Sequence, residues 1–114
     1  MGAPPVVVAG FREDASIVLS QLEGLENRCR VIDEDADEMA VDLYPRMVVY
    51  VFSKTAGYSS QLYAKFGWLH YRSKPQEEYV LRVKEVDLSR AVFPILREVP
   101  EITVGWLQRR LRDL

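Results

Sequence analysis

The chain has 114 residues, of which 48% are hydrophobic and 28% are charged, and its formal net charge is −2. This length suits one domain with a buried core, and this composition is typical of a soluble globular protein rather than a disordered one. No run of about 18 apolar residues occurs, and the N-terminus lacks the basic and apolar regions of a secretory signal. We therefore expect neither a membrane span nor export.

Charge is distributed unevenly along the chain. Residues 1–44 contain ten acidic and three basic residues, whereas residues 45–114 contain seven acidic and twelve basic residues. Two interpretations stay open: both sets are solvated faces, or the molecule is bipolar and stacks head to tail, which would give rings or filaments. The acidic pI of about 5.4 argues against nucleic acid as a partner.

The first strand and helix are indicated by an apolar run and by the charges that follow it. The continuous run Val6–Ala9 predicts a strand buried on both faces, as in a parallel sheet. Glu13 and Asp14 favour a helix N-terminus directly afterwards. Apolar spacing extends this helix to a terminator at Gly24 or Asn27. Its apolar face consists of Ala15, Val18, Leu22 and Leu25.

The next segment contains two strands separated by a weak helix. Cys29–Ile32 predicts a short second strand, and residues 35–43 predict a short helix that Pro45 stops. Met47–Phe52 gives the strongest strand signal of the chain, because six consecutive residues are apolar and rich in β-branched and aromatic types. We expect it to be the central strand.

A third helix is predicted from Ser59 or Ser60 to about His70, with Leu62, Phe66 and Leu69 on one face. The sequence Ser73-Lys74-Pro75 should end it. Two later runs, 79–86 and 91–96, each read as a strand, and the sequence leaves open which of them is the fourth core strand. The last helix has an apolar face formed by Val104, Leu107, Leu111 and Leu114.

Strands that alternate with helices predict an α/β fold. We expect residues 1–114 to form a single flavodoxin-like domain, with a parallel sheet of four to five strands and helices on both faces. Ligands of such sheets bind at the carboxyl ends of the strands. The candidate ligand-binding residues are therefore Gly10, Phe11, Arg12, Asp33, Ser53 and Ser60. Neither a dinucleotide-binding fingerprint nor a phosphate-binding loop is present.

The acidic run at residues 33–38 is not expected to bind a metal. Its acids resemble those of a calcium loop, but Glu38 stands where the sharp turn needs glycine, and Tyr44 stands where a bidentate glutamate is needed. One cysteine, Cys29, and one histidine, His70, cannot build a structural zinc site. We expect a buried thiol, a surface imidazole, no disulfide and a reducing, cytoplasmic environment.

Aromatic residues near the end of the third predicted helix suggest an interaction surface. If its apolar face packs on the core, Tyr63, Trp68 and Tyr71 cannot all be buried. Together with Arg72 they suit a protein interface, where tyrosine, tryptophan and arginine dominate. Half-buried packing and base stacking on single-stranded nucleic acid are the alternatives. The acids Asp35, Asp37 and Glu38 are candidates for a second interface.

Several segments resemble TIR (Toll/interleukin-1 receptor-like) domains. Residues 11–15, Phe-Arg-Glu-Asp-Ala, and residues 30–35, Arg-Val-Ile-Asp-Glu-Asp, are similar to the opening of bacterial members. Val48–Phe52 and then Ser60-Gln61-Leu62-Tyr63 resemble the third strand and the Ser-x-Trp-Cys-x-x-Glu helix of the family. Phe93–Leu96 and Val99-Pro100 are similar to its late strand and the proline that follows.

The resemblance implies one of two functions, because TIR domains either cleave NAD or scaffold signalling and defence complexes. Counted from Ser60, the family's catalytic glutamate is replaced by Phe66, which can neither accept a hydrogen bond from ribose nor stabilise positive charge. We therefore predict a non-catalytic interaction or assembly module that needs no cofactor and acts through a protein partner or self-association. The alternative is an NAD- or nucleotide-binding enzyme in which Glu13 or Asp33 supplies the carboxylate.

Overall fold

The computed structural model describes residues 6–36, 45–52, 60–83 and 98–114. In chain order the elements are β1 (Val6–Ala9), α1 (Arg12–Ser20), a 3-10 turn (Glu26–Arg28), β2 (Cys29–Ile32), β3 (Met47–Phe52), α2 (Ser60–Trp68), a π-helical turn (Leu69–Ser73), β4 (Glu77–Arg82), β5 (Glu101–Ile102) and α3 (Val104–Asp113). No helix within these ranges is long and apolar enough to cross a membrane.

The described strands form one parallel sheet with the order β2-β1-β3-β4-β5. The predicted α/β fold is thereby confirmed, and the strand order is the one found in flavodoxin-like proteins. In β1, Val6 pairs with Cys29 of β2 on one side and with Met47 of β3 on the other. Since β2 and β3 flank β1, the direction of the chain across the sheet reverses at β1.

Helices cover both faces of the sheet, as the continuous apolar strands predicted. On one face, side chains of β1 and β3 such as Val8 and Val49 pack with α1 and α3. On the other face, Val7 and Tyr50 pack with the apolar side of α2. Every residue of β1 and β3 is therefore buried. This double burial explains why neither strand alternates polar with apolar residues.

Helix α1 ends earlier than the apolar spacing predicted. It stops at Ser20, after which the amides of Gln21 and Leu22 donate to carbonyls three residues back. Glu23 and Gly24 then adopt positive φ angles of 48° and 90°, which end the helix. Leu22 remains fully buried, because the tightened turn keeps its side chain on the core face.

Helix α2 confirms the predicted apolar face, since Leu62, Phe66 and Leu69 are all buried. The helix begins at Ser60 and continues into the π-helical turn, which places its end at Ser73. Lys74 follows with a left-handed φ of 46°. The helix therefore ends at the tripeptide that the sequence predicted, although its last turn is wider than an α-helix.

The fourth strand of the sheet is β4, which starts two residues before the run 79–86 and ends at Arg82. Strand β5 was not predicted, because two residues are too few to show a periodicity. Directly before β5, Pro100 O accepts a hydrogen bond from Val80 N of β4 at 2.9 Å, and β5 continues this pairing along β4. The competing run 91–96 lies outside the described residues, as do residues 37–43 of the predicted second helix.

The terminal helix α3 is also confirmed. Leu107 and Leu111 are fully buried against the sheet. Thr103 caps its start, since its hydroxyl oxygen accepts a hydrogen bond from Trp106 N at 3.1 Å. At the other end, Arg28 donates to the carbonyl of Leu111 at 2.5 Å, which satisfies a helix-terminal acceptor.

Candidate functional site

The carboxyl edge of the sheet is the place where a ligand of this fold would bind. Gly10 and Phe11 leave β1 at this edge, and Gly10 N donates to Ile32 O at the end of β2, at 3.1 Å. A Cβ atom on Gly10 would lie 2.9 Å from Val51 O and 3.0 Å from Val51 Cβ. The glycine is therefore needed where β1 passes β3, and its role in this structure is close strand packing.

Arg12 and the residues after β2 form a network of charges at this edge. The Arg12 side chain donates to Asp33 at 3.2 Å and to Asp35 at 2.8 Å, and its backbone N–H donates to the Glu34 carboxylate at 2.8 Å. Asp33 chiefly, by its hydrogen bond and its charge, raises the pKa of Arg12. The Glu34 carboxylate occupies the N-terminus of α1, where the helix dipole favours negative charge.

We name residues 33–36 the acidic turn. Within it, Asp35 N donates to the Asp33 carboxylate at 2.9 Å. Lys65 reaches across from α2, and its ammonium group donates to the carbonyl oxygens of Asp33 and Glu34 at 3.0 and 2.6 Å. The structure thus brings the predicted ligand residues Arg12 and Asp33 together, but as partners of each other. The sequence offered no signal that Lys65 contacts the acidic turn, because it lies 32 residues from Asp33.

Other predicted site residues are placed less fully. Ser60 starts α2, while Ser53, Asp37 and Glu38 lie outside the described residues. In the described part of the chain, no three histidine, cysteine, aspartate or glutamate side chains are grouped to hold a metal ion. Cys29 is half-buried rather than fully buried as the sequence predicted, and this burial, with a smaller contribution from Glu26, raises the pKa of its thiol to about 11. A thiol with this pKa is a poor nucleophile at neutral pH.

At the opposite end of α2, a cation lies beside aromatic rings. We name residues 68–74 the aromatic turn. Tyr71 is 60% exposed, and the Arg72 guanidinium lies over the half-buried Trp68 ring, 5.1 Å from its centroid. Lys74 is exposed as well. The third predicted aromatic, Tyr63, is half-buried and packs edge-to-face on Phe66 at 5.7 Å, so it lies closer to the core than to this surface.

A polar relay connects the aromatic turn to the core. The buried Tyr50 hydroxyl donates to Glu78 at 2.7 Å, and Nδ1 of His70 lies 2.8 Å from the same oxygen. Burial foremost, then Glu78, raises the pKa of Tyr50. His70 is half-buried rather than the surface imidazole that the sequence predicted, because its ring packs beside the Glu78 carboxylate. One sequence signal could have indicated this relay. Val80 shares a face of β4 with Glu78, and because Val80 is apolar, that face is expected to be covered by other side chains.

The position that the TIR resemblance assigns to the catalytic glutamate lies in the core. Phe66 is fully buried, and its ring packs against Tyr50 and Phe52 with centroid distances of 5.1 and 5.7 Å. It lies between the sheet and α2. A carboxylate at this position would therefore be enclosed by aromatic rings instead of facing a ligand.

The acidic turn and the aromatic turn lie at opposite edges of the sheet. The acidic turn follows β2, whereas the aromatic turn precedes β4, and both strands run in the same direction. At the carboxyl edge, cations and anions pair with each other. At the amino edge, no carboxylate among the described residues pairs with Arg72.

Comparisons of this chain with protein-family models, with curated proteins and with solved structures find no match.

Proposed function

We propose that this chain is a TIR-like protein interaction or assembly module that acts in the cytoplasm without cleaving NAD. The observation that carries the proposal is the aromatic turn, where the most exposed large hydrophobic side chain in the described residues, Tyr71, stands beside Arg72 and Trp68. Tyrosine, tryptophan and arginine are the residue types that dominate the binding energy of protein interfaces.

The stacking of Arg72 supports this role. The Trp68 ring restricts the orientation of the guanidinium group before any partner arrives, so less conformational entropy is lost on binding. The N–H donors of Arg72 remain available to a carboxylate in a bidentate arrangement. A partner that presents a carboxylate beside an apolar or aromatic side chain would match the turn in charge and in shape.

Self-association is the form of interaction that the charge distribution favours. The acidic turn at one edge and the basic aromatic turn at the other would let the carboxyl edge of one molecule meet the amino edge of the next. Such a head-to-tail contact is heterologous and produces rings or filaments. Asp35 remains exposed in the acidic turn, and its second carboxylate oxygen can accept further hydrogen bonds.

Sedimentation velocity over a range of protein concentrations tests the proposal. We expect concentration-dependent association that weakens between ~0.1 M and ~1 M salt, as the screening length falls from about 10 Å to about 3 Å. Arg72→Glu should abolish it. Arg109→Glu, the same charge change on α3 at the other face of the sheet, should leave it intact. A protein that stays monomeric throughout and captures no partner protein would contradict the proposal.

The alternative function, an NAD- or nucleotide-binding enzyme at the carboxyl edge, has less support from the contacts there. Arg12 already binds two carboxylates, and Glu34 lies at the helix N-terminus where a phosphate group would be favoured. A nucleotide would have to displace these anions. We expect the purified protein to release no nicotinamide from NAD at high enzyme concentration. Release of nicotinamide would contradict our proposal and make Glu13 and Asp33 the candidate catalytic carboxylates.

A further inference from the structure

The aromatic turn has a backbone conformation that needs support from the rest of the molecule. Residues Leu69–Ser73 form a π-helical turn, which is less common than an α-helical one and is frequent at functional sites. The turn ends at Lys74, whose φ of 46° is unfavourable for a residue with a side chain. Such a conformation persists only where surrounding contacts hold it.

The relay between Tyr50, Glu78 and His70 supplies one of these contacts. The Glu78 carboxylate accepts a hydrogen bond from the Tyr50 hydroxyl in the core at 2.7 Å. Both of its oxygens lie within 3.0 Å of Nδ1 of His70 in the aromatic turn. Hydrogen bonds to an ionised carboxylate are stronger than neutral ones. The side chains of His70 and Glu78 are 26% and 19% exposed, so water competes weakly for them.

We propose that Glu78 is a positioning residue: by binding His70 it fixes the π-helical turn that presents Tyr71 and Arg72 to a protein partner. This inference rests on the proposed interaction function. The Tyr50 hydroxyl holds the Glu78 carboxylate on the core side. The carboxylate in turn holds the side chain of His70, which belongs to the aromatic turn. The His70 ring also packs edge-to-face on Tyr71, with 4.9 Å between the centroids, so the imidazole contacts the interface residue directly.

Strand β4 provides a matched control for this role. Glu77, the neighbour of Glu78, points to the other face of the sheet, where it accepts hydrogen bonds from Tyr79 at 2.7 Å and from Arg110 at 2.6 Å. Glu77→Gln therefore removes a carboxylate with two donors from the same strand, but on the face covered by α3. We expect Glu77→Gln to lower the stability of the fold about as much as loss of the contact between Glu78 and His70 does, but to leave the aromatic turn unchanged.

The experiment compares His70→Leu, His70→Asn and Glu77→Gln in the full chain. Hydrogen exchange of amides 69–74 reports the turn, and sedimentation reports association. We expect His70→Leu to accelerate exchange and to weaken association, each about tenfold, which is the size of one charged hydrogen bond. His70→Asn should restore both, since its side-chain amide can donate from near the position of Nδ1. Glu77→Gln should change neither.

The two readouts separate failure of this inference from failure of the proposed function. Equal effects of His70→Leu and Glu77→Gln on exchange at 69–74, or no effect of His70→Leu on it, would overturn the positioning role. If the exchange results are as expected but the native protein does not associate, or Arg72→Glu leaves association unchanged, the interaction function fails and the positioning of the turn by the contact between Glu78 and His70 stands.

Discussion

Individual polar residues in the core of this protein are held by specific partners. The Tyr50 hydroxyl lies among aromatic and aliphatic side chains, and the Glu78 carboxylate receives its hydrogen bond. A buried polar group that loses its partner costs free energy, because water cannot replace the lost bond. The contribution of Tyr50 to stability should therefore exceed that of a tyrosine at the surface.

We expect Tyr50→Phe to lower the free energy of unfolding by about 2 kcal/mol, because it removes a hydrogen bond to a charged group and leaves Glu78 with one donor fewer. Tyr79→Phe, which removes a hydroxyl bound to Glu77 at a half-buried site, should cost less than about 1 kcal/mol. Urea unfolding of both variants measures the difference. Equal costs would show that burial does not strengthen the Tyr50 bond.

The same bond predicts how stability depends on alkaline pH. Because the pKa of Tyr50 is raised in the folded state, its contribution is complete below the pH where free tyrosine ionises, about 10. Above it, the native protein should lose about 1.4 kcal/mol per pH unit from this group. Tyr50→Phe lacks this loss, so the free energies of unfolding of the two proteins should converge as the pH rises from 9 to 11.

A second prediction at the residue scale concerns Cys29. Burial foremost raises the pKa of its thiol to about 11, so the reactive thiolate is scarce at neutral pH. We expect iodoacetamide at pH 8 to modify Cys29 at least about tenfold more slowly in the native protein than in urea. Equal rates in the two conditions would contradict the half-buried position of the thiol.

The elements of the fold depend on close contacts that differ from one element to the next. Strands β1 and β3 approach each other so closely at Gly10 that no Cβ fits beside Val51. Helix α2 in turn presents Phe66 to the rings of Tyr50 and Phe52. Each of these contacts predicts the effect of one substitution.

Gly10→Ala should destabilise the protein by about 1–3 kcal/mol, because the new methyl group overlaps with the backbone of a fully buried strand. Gly105→Ala is the control, since its nearest new neighbour is Thr103 Oγ1 at an ordinary 3.8 Å. In α3 that change should be neutral, or stabilising by up to about 1 kcal/mol. Thermal unfolding distinguishes the two, and a neutral Gly10→Ala would contradict the packing described at this edge.

Phe66→Glu should disrupt the fold rather than create an NAD-cleaving enzyme. The variant loses the packing of a buried ring and places a carboxylate among aromatic side chains, at a cost of at least about 4 kcal/mol. Phe66→Leu should cost only about 1 kcal/mol. Circular dichroism with urea unfolding measures both. A folded Phe66→Glu protein of native stability would contradict the burial of residue 66 in the core.

For the whole molecule, the separation of the two charged turns predicts the symmetry of assembly. If the acidic turn of one copy meets the aromatic turn of the next, Arg72→Ala and Asp35→Ala each remove one side of the contact. Neither variant should then polymerise. An equal mixture should form heterodimers and nothing larger, because one intact pair of surfaces remains. Sedimentation velocity of the mixture checks this, and monomers in the mixture would exclude the head-to-tail contact.

Much of the fold could be predicted from local sequence patterns. Apolar runs identified β1, β2 and β3 within the described residues, and helical spacing identified the buried faces of α2 and α3. Element ends were predicted less well, because turn geometry at Gln21 and Glu23 ends α1 before its apolar spacing does. Strand β5 escaped prediction, since it exists only as an addition to the edge of β4.

The sequence by itself determined the α/β class, the parallel sheet and the apolar faces of its helices, because these follow from the periodicity of neighbouring residues. Tertiary structure decided the contacts between side chains of different elements. It paired Arg12 with the acidic turn and joined Glu78 to His70 and Tyr50. These partners come from different elements, and their separation in sequence carries no periodic signal. Only packing of the sheet against its helices brings them within hydrogen-bonding distance.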